Sequence, residues 1–460
     1  MTLCFGSYDT RKNFLLQSKA EKLDITELIN SSNAQAGLLE TKNQGKKDDN
    51  NSSHVWIKIN VDQTGFYRVK YDDELAMRLK YAIEANKLSA TDRFGILDDS
   101  YALCMACKQT LSSLFFLMDA YREELDYTVL SNLISVCCKV ATIAADAIPE
   151  LSDDIKQFFI NLLQFSAEKL GWDPKSGESH LDAMLRGEIL TALALFGHEG
   201  TLTEAVKRFH AYIDDRNTPL LPPDVRKAAY VTVMQTGSTS NRSGYESLLK
   251  LYRETELSQE KVRILGSLAS CPDPDIVLEV LNFLLTSEVR SQDVVHGLGR
   301  VSREGRETAW KWLKDNWEHI WKTLGGGFLL TRFIGSIVSP FCSDEKANEV
   351  EEFFASRTKP SIARTLKQSL ERVRINARWV QSIRNEKSLG EVAKEFAHRN
   401  YPALIQPLPL NERVDIWDSG LREMFSSSVF IFLRPSTLRL LIFFRFHLDI
   451  AQGEFVFNLL

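Results

Sequence analysis

From Ser89 to Arg399 the apolar residues recur at the spacing of a helix surface, and this constrains the chain more than any other feature. The pattern starts at "SATDRFGILDDSYALCMACKQTL" and recurs in segments with short connections. Val262, Leu265 and Leu268 form one face, "CPDPD" breaks it, and Ile276, Val277, Val280, Leu281 and Leu284 form the next. Asp273 can cap the second helix and Pro274 can open it. Pro360 opens a longer helix whose stripe runs through Ile362, Leu366, Leu370, Val373, Ala377 and Val380. Sequential pairs of such helices stack into arrays, so the fold class is mainly α. An irregular HEAT/armadillo-like α-superhelix is expected over residues 85–401, preceded by a partial β-sandwich.

The β part lies in residues 1–72. "HVWIKINVDQTGFYRVKYDD" alternates Val55, Ile57 and Ile59 with Trp56, Lys58 and Asn60, then resumes after Gly65, which predicts a hairpin. "TLCFGSY" and "RKNFLLQSKAEKLDI" read as two further strands, and the polar stretch 31–53 as a solvated insert. That is too few strands to close a good sandwich. An isolated hairpin is marginal in water, so its sheet must be completed elsewhere.

Composition narrows the function classes. Net charge is −5 and the pI about 6.0, which argues against a dominant nucleic-acid surface. Seven cysteines in 460 residues make no disulfide framework, and "MTLCFGSYDTRKNF" has no secretory h-region; a cytoplasmic chain is expected. Residues 425–460 hold eight of the 26 Phe, but Arg434, Pro435, Arg439 and Arg445 interrupt every candidate span, so no transmembrane segment is expected there.

Motifs for chemistry are absent. The histidines are His54, His180, His198, His210, His296, His319, His398 and His447; no two lie four apart, so there is no H-E-x-x-H. His198 and His319 read as surface or capping residues. Cys104 and Cys107 form C-M-A-C inside an apolar helical run, which fits buried thiols better than a zinc or redox pair. "HGLGRVSREG" puts Ser302 where a dinucleotide fingerprint needs its third Gly, and "LGGGF" lacks the P-loop Lys. Asp98-Asp99 and Asp153-Asp154 read as first-turn or solvated charges, and Asp92-Arg93 as a structural ion pair. No catalytic and no metal-ligating residue is assigned.

A set of longer segments carries a resemblance. "VDQTGFYRVKYDD", "SATDRFGILDDSYALCMACKQTLSSL", "LGWDPKSGESHLDAMLRGEIL", "LSQEKVRILGSLASCPDPDIVLEVLNFLL" and "ASRTKPSIARTLKQSLERVRINARWVQSI" resemble the C-terminal half of puromycin-sensitive-type zinc aminopeptidases, especially the plant aminopeptidase M branch. The likeness runs from about Thr2 to Tyr401. It implies that residues 1–72 are the later part of a small β-sandwich and that a helical superhelix follows. It also implies that the zinc domain, with H-E-x-x-H and G-A-M-E-N, belongs upstream of Met1, where this sequence has no matching positions. Zinc is therefore expected only in the full-length enzyme, with no cofactor in this chain. The resemblance implies peptide substrates and a helical domain that caps the substrate cavity and can contribute basic residues to it. Arg332, in "GGGFLLTRFIG", is the candidate for such a residue. The chain is expected to be inactive alone, with a catalytic domain supplied in cis upstream or in trans. The rival expectation is a non-catalytic α-solenoid that binds peptides or proteins. Residues 402–460 are expected to fall outside the family, as a disordered extension or a misjoined gene segment.

Overall fold

The computed structural model describes residues 1–15, 20–24, 55–325, 327–399, 429–433, 442–449 and 454–459. The polar insert 31–53 lies outside them. The chain divides into two compact units, one of residues 1–104, 111–133 and 399–460, the other of 105–110 and 134–398. The change of character expected at residue 85 thus falls inside the first unit.

In that unit, β1 (Thr2–Phe5) and β2 (Ser7–Asn13) pair antiparallel around Gly6, which has φ +67°. The single strand expected over "TLCFGSY" is two, because glycine lets the chain reverse there. β4 (Ile57–Ile59) pairs with β1, giving the order β2-β1-β4. β5 (Tyr67–Lys70) belongs to a second sheet, so the expected hairpin of residues 54–73 does not form. The connection explains why. Asn60, Asp62 and Gln63 all have φ near +55 to +60°, and the Asn60 side chain accepts from Gly65 N–H at 2.8 Å. A wide turn built that way carries β5 away from β4 instead of folding it back.

The second sheet runs β3-β8-β7-β6-β5, with β3 at Ala20–Asp24, β6 at Val429–Leu433, β7 at Ile442–Asp449 and β8 at Glu454–Leu459. Val69 stands opposite Ile431 in the β5–β6 register. Three segments of the stretch expected to be a disordered extension or a misjoined gene segment are strands. Their sequences are rich in Phe, Val and Ile, residues that favour strands, and β5 offers them an edge. The rest of 402–460 lies outside the described residues.

Helices α1 (Asp73–Glu84), α2 (Ala90–Met105) and α3 (Leu111–Met118) follow. Asp72 caps α1: its Oδ1 accepts from Leu75 N–H at 2.8 Å, while its Oδ2 is buried without a partner among the described residues. Burial outweighs the cap and pushes this carboxyl up to about 6. A carboxyl whose folded pKa is raised destabilises the fold above that pKa and ceases to do so as the pH falls towards the unfolded value. Asp72→Asn keeps a capping side chain without the charge. It is expected to stabilise the protein at pH 7 and to lose that advantage below about pH 4. Melting curves of both proteins across that range check this; an equal or lower Tm for the variant at pH 7 would contradict it.

In the second unit the helices form two layers. α4 (Tyr127–Ala147) enters it and α5 (Ser152–Leu170) follows. One layer then runs through α6 (His180–Phe196), α8 (Arg226–Gln235), α10 (Ser258–Leu268), α12 (Val294–Leu298), α15 (Phe328–Val338) and α17 (Pro360–Arg384), each packed on the next. The other holds α7 (Glu199–Asp214), α9 (Ser243–Glu254), α11 (Pro274–Leu284), α13 (Arg306–Asp315), α14 (Trp317–Leu324) and α16 (Asp344–Ala355). Asp273 caps α11 and Pro274 opens it, as the sequence indicates. The α17 stripe is buried at Ile362, Leu366, Leu370, Val373 and Val380. Gly187 lets α6 touch the segment before α8, since a Cβ there would lie 2.2 Å from the Asp224 carbonyl.

α18 (Leu389–His398) packs back on α5: Asn161 donates to the Ala397 carbonyl at 2.8 Å, and the Phe158 and Phe396 rings lie 5.0 Å apart. The last described helix of the unit thus lies against one of its first. α4 is the one described helix long and apolar enough to cross a membrane, but half of its most apolar window is buried, as in a core helix.

Candidate functional site

Two polar clusters have to be separated from any binding surface, because both are structural. The first joins the strands to α2. Lys58, 1% exposed, lies 3.2 Å from Asp92 and donates to the Ile59 and Asn60 carbonyls at 2.6 and 3.0 Å. Asp92, fully buried, also accepts from Tyr8 O–H at 2.7 Å and Asp62 N–H at 2.9 Å. The expected Asp92–Arg93 pair is not made; Arg93 pairs with Glu124 at 2.7 Å instead. Successive helical residues point apart, so neighbours in sequence seldom pair. Asp99, expected on a solvated face, is 5% exposed, where it accepts from Arg68 and from Val69 N–H, both at 3.0 Å. Burial nevertheless pushes its carboxyl up to about 6.

The second cluster centres on Asp146, at the end of α4. It accepts from Arg303 at 2.6 Å, from Arg306 at 2.7 Å and from the Cys342 thiol at 3.3 Å. Burial opposes its charge, but the two guanidinium groups hold the carboxyl below the usual range. The surrounding cavity of about 370 Å³ is lined by these groups and by Glu307 and Lys346, which pair with one another at 2.7 Å. Its main charges are already satisfied, which fits a clasp better than a ligand site.

The candidate metal and thiol residues do not converge. His198 caps α7 through Thr201 N–H, and His319 is exposed. Cys104 is buried, as expected, but Cys107 is exposed at φ +57°, just past the helix. Among the described residues no group of three or more His, Cys, Asp or Glu is placed to hold a metal, so these residues do not fit the zinc of the resembled enzymes.

Arg332 stands on α15 and is exposed, its guanidinium over the Phe328 ring at 5.7 Å from the centroid. Phe328 is itself 72% exposed. Arg332 makes no hydrogen bond or ion pair with another described residue, so its fork is open to a ligand.

A basic group that sequence reading passed over lies on α8, α10 and the segment after α12. Arg226 and Arg263 both pair with Glu260, which is 3% exposed and also accepts from Tyr230 O–H at 2.6 Å. Lys227 and Arg300 have no such partner among the described residues. Nothing local marks them: one follows an arginine in "VRKAAY", the other lies inside the failed Gly-rich match.

Comparison with known proteins places this architecture. The ERAP1-like C-terminal domain matches residues 56–375. The chain belongs to that family. It is 62% identical over 397 residues to "Aminopeptidase M1" of Arabidopsis thaliana, covering 86% of this chain and 44% of that protein. It is 58% identical over 396 residues to "Aminopeptidase M1-B" of rice, again covering 86% of this chain and 44% of that protein. "Aminopeptidase 2, mitochondrial" of yeast is 27% identical over 338 residues, covering 72% of this chain and 34% of that protein. The chain thus spans less than half the length of these relatives and corresponds to the C-terminal part of an M1 aminopeptidase. The mainly α architecture is that of an ERAP1-like C-terminal domain, and the family match stops before α17 ends.

Proposed function

We propose that this chain is the substrate-cavity-capping part of a zinc aminopeptidase that removes N-terminal residues from peptides, and that chemistry is done by residues outside it. The family match over residues 56–375 carries the reading. It is supported by the lack of H-E-x-x-H and G-A-M-E-N in the sequence and by the two layers of stacked helices, an arrangement that offers a surface for peptide. The zinc and the general base would come from a catalytic part, joined in cis or met in trans. Zinc would supply an activated water there; this chain would hold and orient the peptide behind its N-terminus. Arg332 is our candidate for a cavity-lining contact, supported by its open guanidinium. We place this work in the cytoplasm, a reading supported by seven cysteines in 460 residues, too few for a disulfide framework.

Binding of fluorescent peptides to the purified chain, followed by anisotropy, tests this. Saturable binding that an unlabelled peptide competes away, and a free amino acid does not, is the expected result. No competable binding by any peptide would overturn it.

A further inference from the structure

We propose that the edge of β5 facing β6 is a strand-accepting site for the catalytic part, and that the chain's own β6 fills it when that part is absent. The identity of the partner rests on the reading above. The edge itself rests on the following geometry.

The two edges of β5 are satisfied in different ways. On one side Val69 N–H donates to the Asp99 carboxylate of α2 at 3.0 Å. The adjoining Arg68 guanidinium reaches Asp98 at 2.6 Å and Asp99 at 3.0 Å. Side chains close that edge, and it admits no strand. Successive N–H groups of a strand point to opposite edges, so Arg68 and Lys70 turn theirs to the other side. There they stand opposite Phe432 and Phe430 of β6.

What fills that second edge differs in origin from β5. β5 lies within residues 56–375, the stretch that matches the family, and β6, β7 and β8 all lie beyond it. These three strands form a meander between β3 and β5, which do not pair with one another. Ladder hydrogen bonds are made by backbone alone, so an edge that accepts β6 accepts strands of other sequence. A family member that lacks the meander still has the N–H and C=O groups of β5 to satisfy on that side. The chain corresponds to the C-terminal part of its relatives, and more than half of their length lies outside the match. A strand from that remaining part fits the edge. Phe66 agrees with this: it directly precedes β5, it is 86% exposed, and the register with β6 starts one residue later, at Tyr67. A strand one residue longer than β6 would stand opposite Phe66 and give its ring a cross-strand neighbour.

Amide hydrogen exchange on two whole chains tests the proposal. One is the 460-residue chain. The other is the same chain joined after the part of the Arabidopsis relative that precedes its match. In the first, the Arg68 and Lys70 amides are expected to be protected together with Val429–Leu433. Phe432→Pro removes a ladder donor from β6 and should speed exchange at Arg68 and Lys70 about tenfold, while Val69, held by Asp99, stays unchanged. Equal exchange at Arg68 and Lys70 in parent and variant would overturn the site. In the joined chain Arg68 and Lys70 should stay slow, while Val429–Leu433 exchange about tenfold faster than in the 460-residue chain. Val429–Leu433 as slow as before would overturn the proposal, and so would a β5 edge that opens along with them. Hydrolysis by the joined chain is read separately. Its absence would count against the peptidase reading, while the exchange pattern still decides the edge.

Discussion

Replacing Asp92 by alanine is expected to destabilise the β1–β4 region and α2 by about 3–5 kcal/mol. The reason is what the substitution leaves behind. Lys58 would keep its two carbonyl acceptors but lose its carboxylate partner at 1% exposure, and Tyr8 O–H and Asp62 N–H would lose an acceptor. Most of the cost comes from leaving a buried charge uncompensated, since the intact pair itself gains little over apolar replacements. Lys58→Met with Asp92→Leu should therefore be milder than Asp92→Ala alone. Native-state hydrogen exchange over residues 55–70 reads the effect locally, which matters in a chain with two compact units. Exchange in Asp92→Ala as slow as in the parent would show that the cluster does not hold the strands.

Trp310→Ala is expected to cost about 3–5 kcal/mol in the helical unit. Trp310 is 1% exposed, sits edge-on to Phe353 at 5.4 Å, and adjoins Phe354, which in turn meets Trp317 edge-on at 5.1 Å. Truncation would open a cavity among rings from α13, α14 and α16 that cannot collapse independently. Its indole N–H also donates to Glu349 at 2.6 Å. Burial opposes the charge on Glu349, yet Lys314, Lys346 and this indole hold it down at about 2. Trp310→Phe loses the indole donor but leaves both lysines at 2.8 and 2.7 Å, so it should cost less than half as much as alanine. Denaturant unfolding of the three proteins checks the order; equal midpoints for parent and alanine variant would contradict the packing described.

The helices were legible because their signals are local. A capping Asp273 before Pro274, or a stripe from Ile362 to Val380, states both the helix and its buried face within a few turns. What failed depended on partners distant in sequence. Ile57 and Tyr67 looked like two arms of a hairpin, yet β4 takes Thr2–Phe5 as partner and β5 takes Val429–Leu433. Lys58 looked like the polar half of an alternation, and became buried because Asp92, 34 residues on, gives it a counter-charge. The packing of α18 on α5 rests on contacts such as Asn161 to Ala397, 236 residues apart, which no periodicity records. The site shows the same division. Arg332 could be picked out beside its Gly-rich break. Arg226 and Arg263 are ordinary surface residue types until α8 and α10 align and both reach Glu260.

The most direct test of the central claim, that this chain holds peptide while chemistry is done elsewhere, is zinc content and aminoacyl hydrolysis of the purified 460-residue chain measured together. The account predicts no stoichiometric zinc and no chelator-sensitive turnover, with turnover appearing only when a catalytic part is joined or added. One zinc per chain, with turnover that a chelator abolishes, would contradict it.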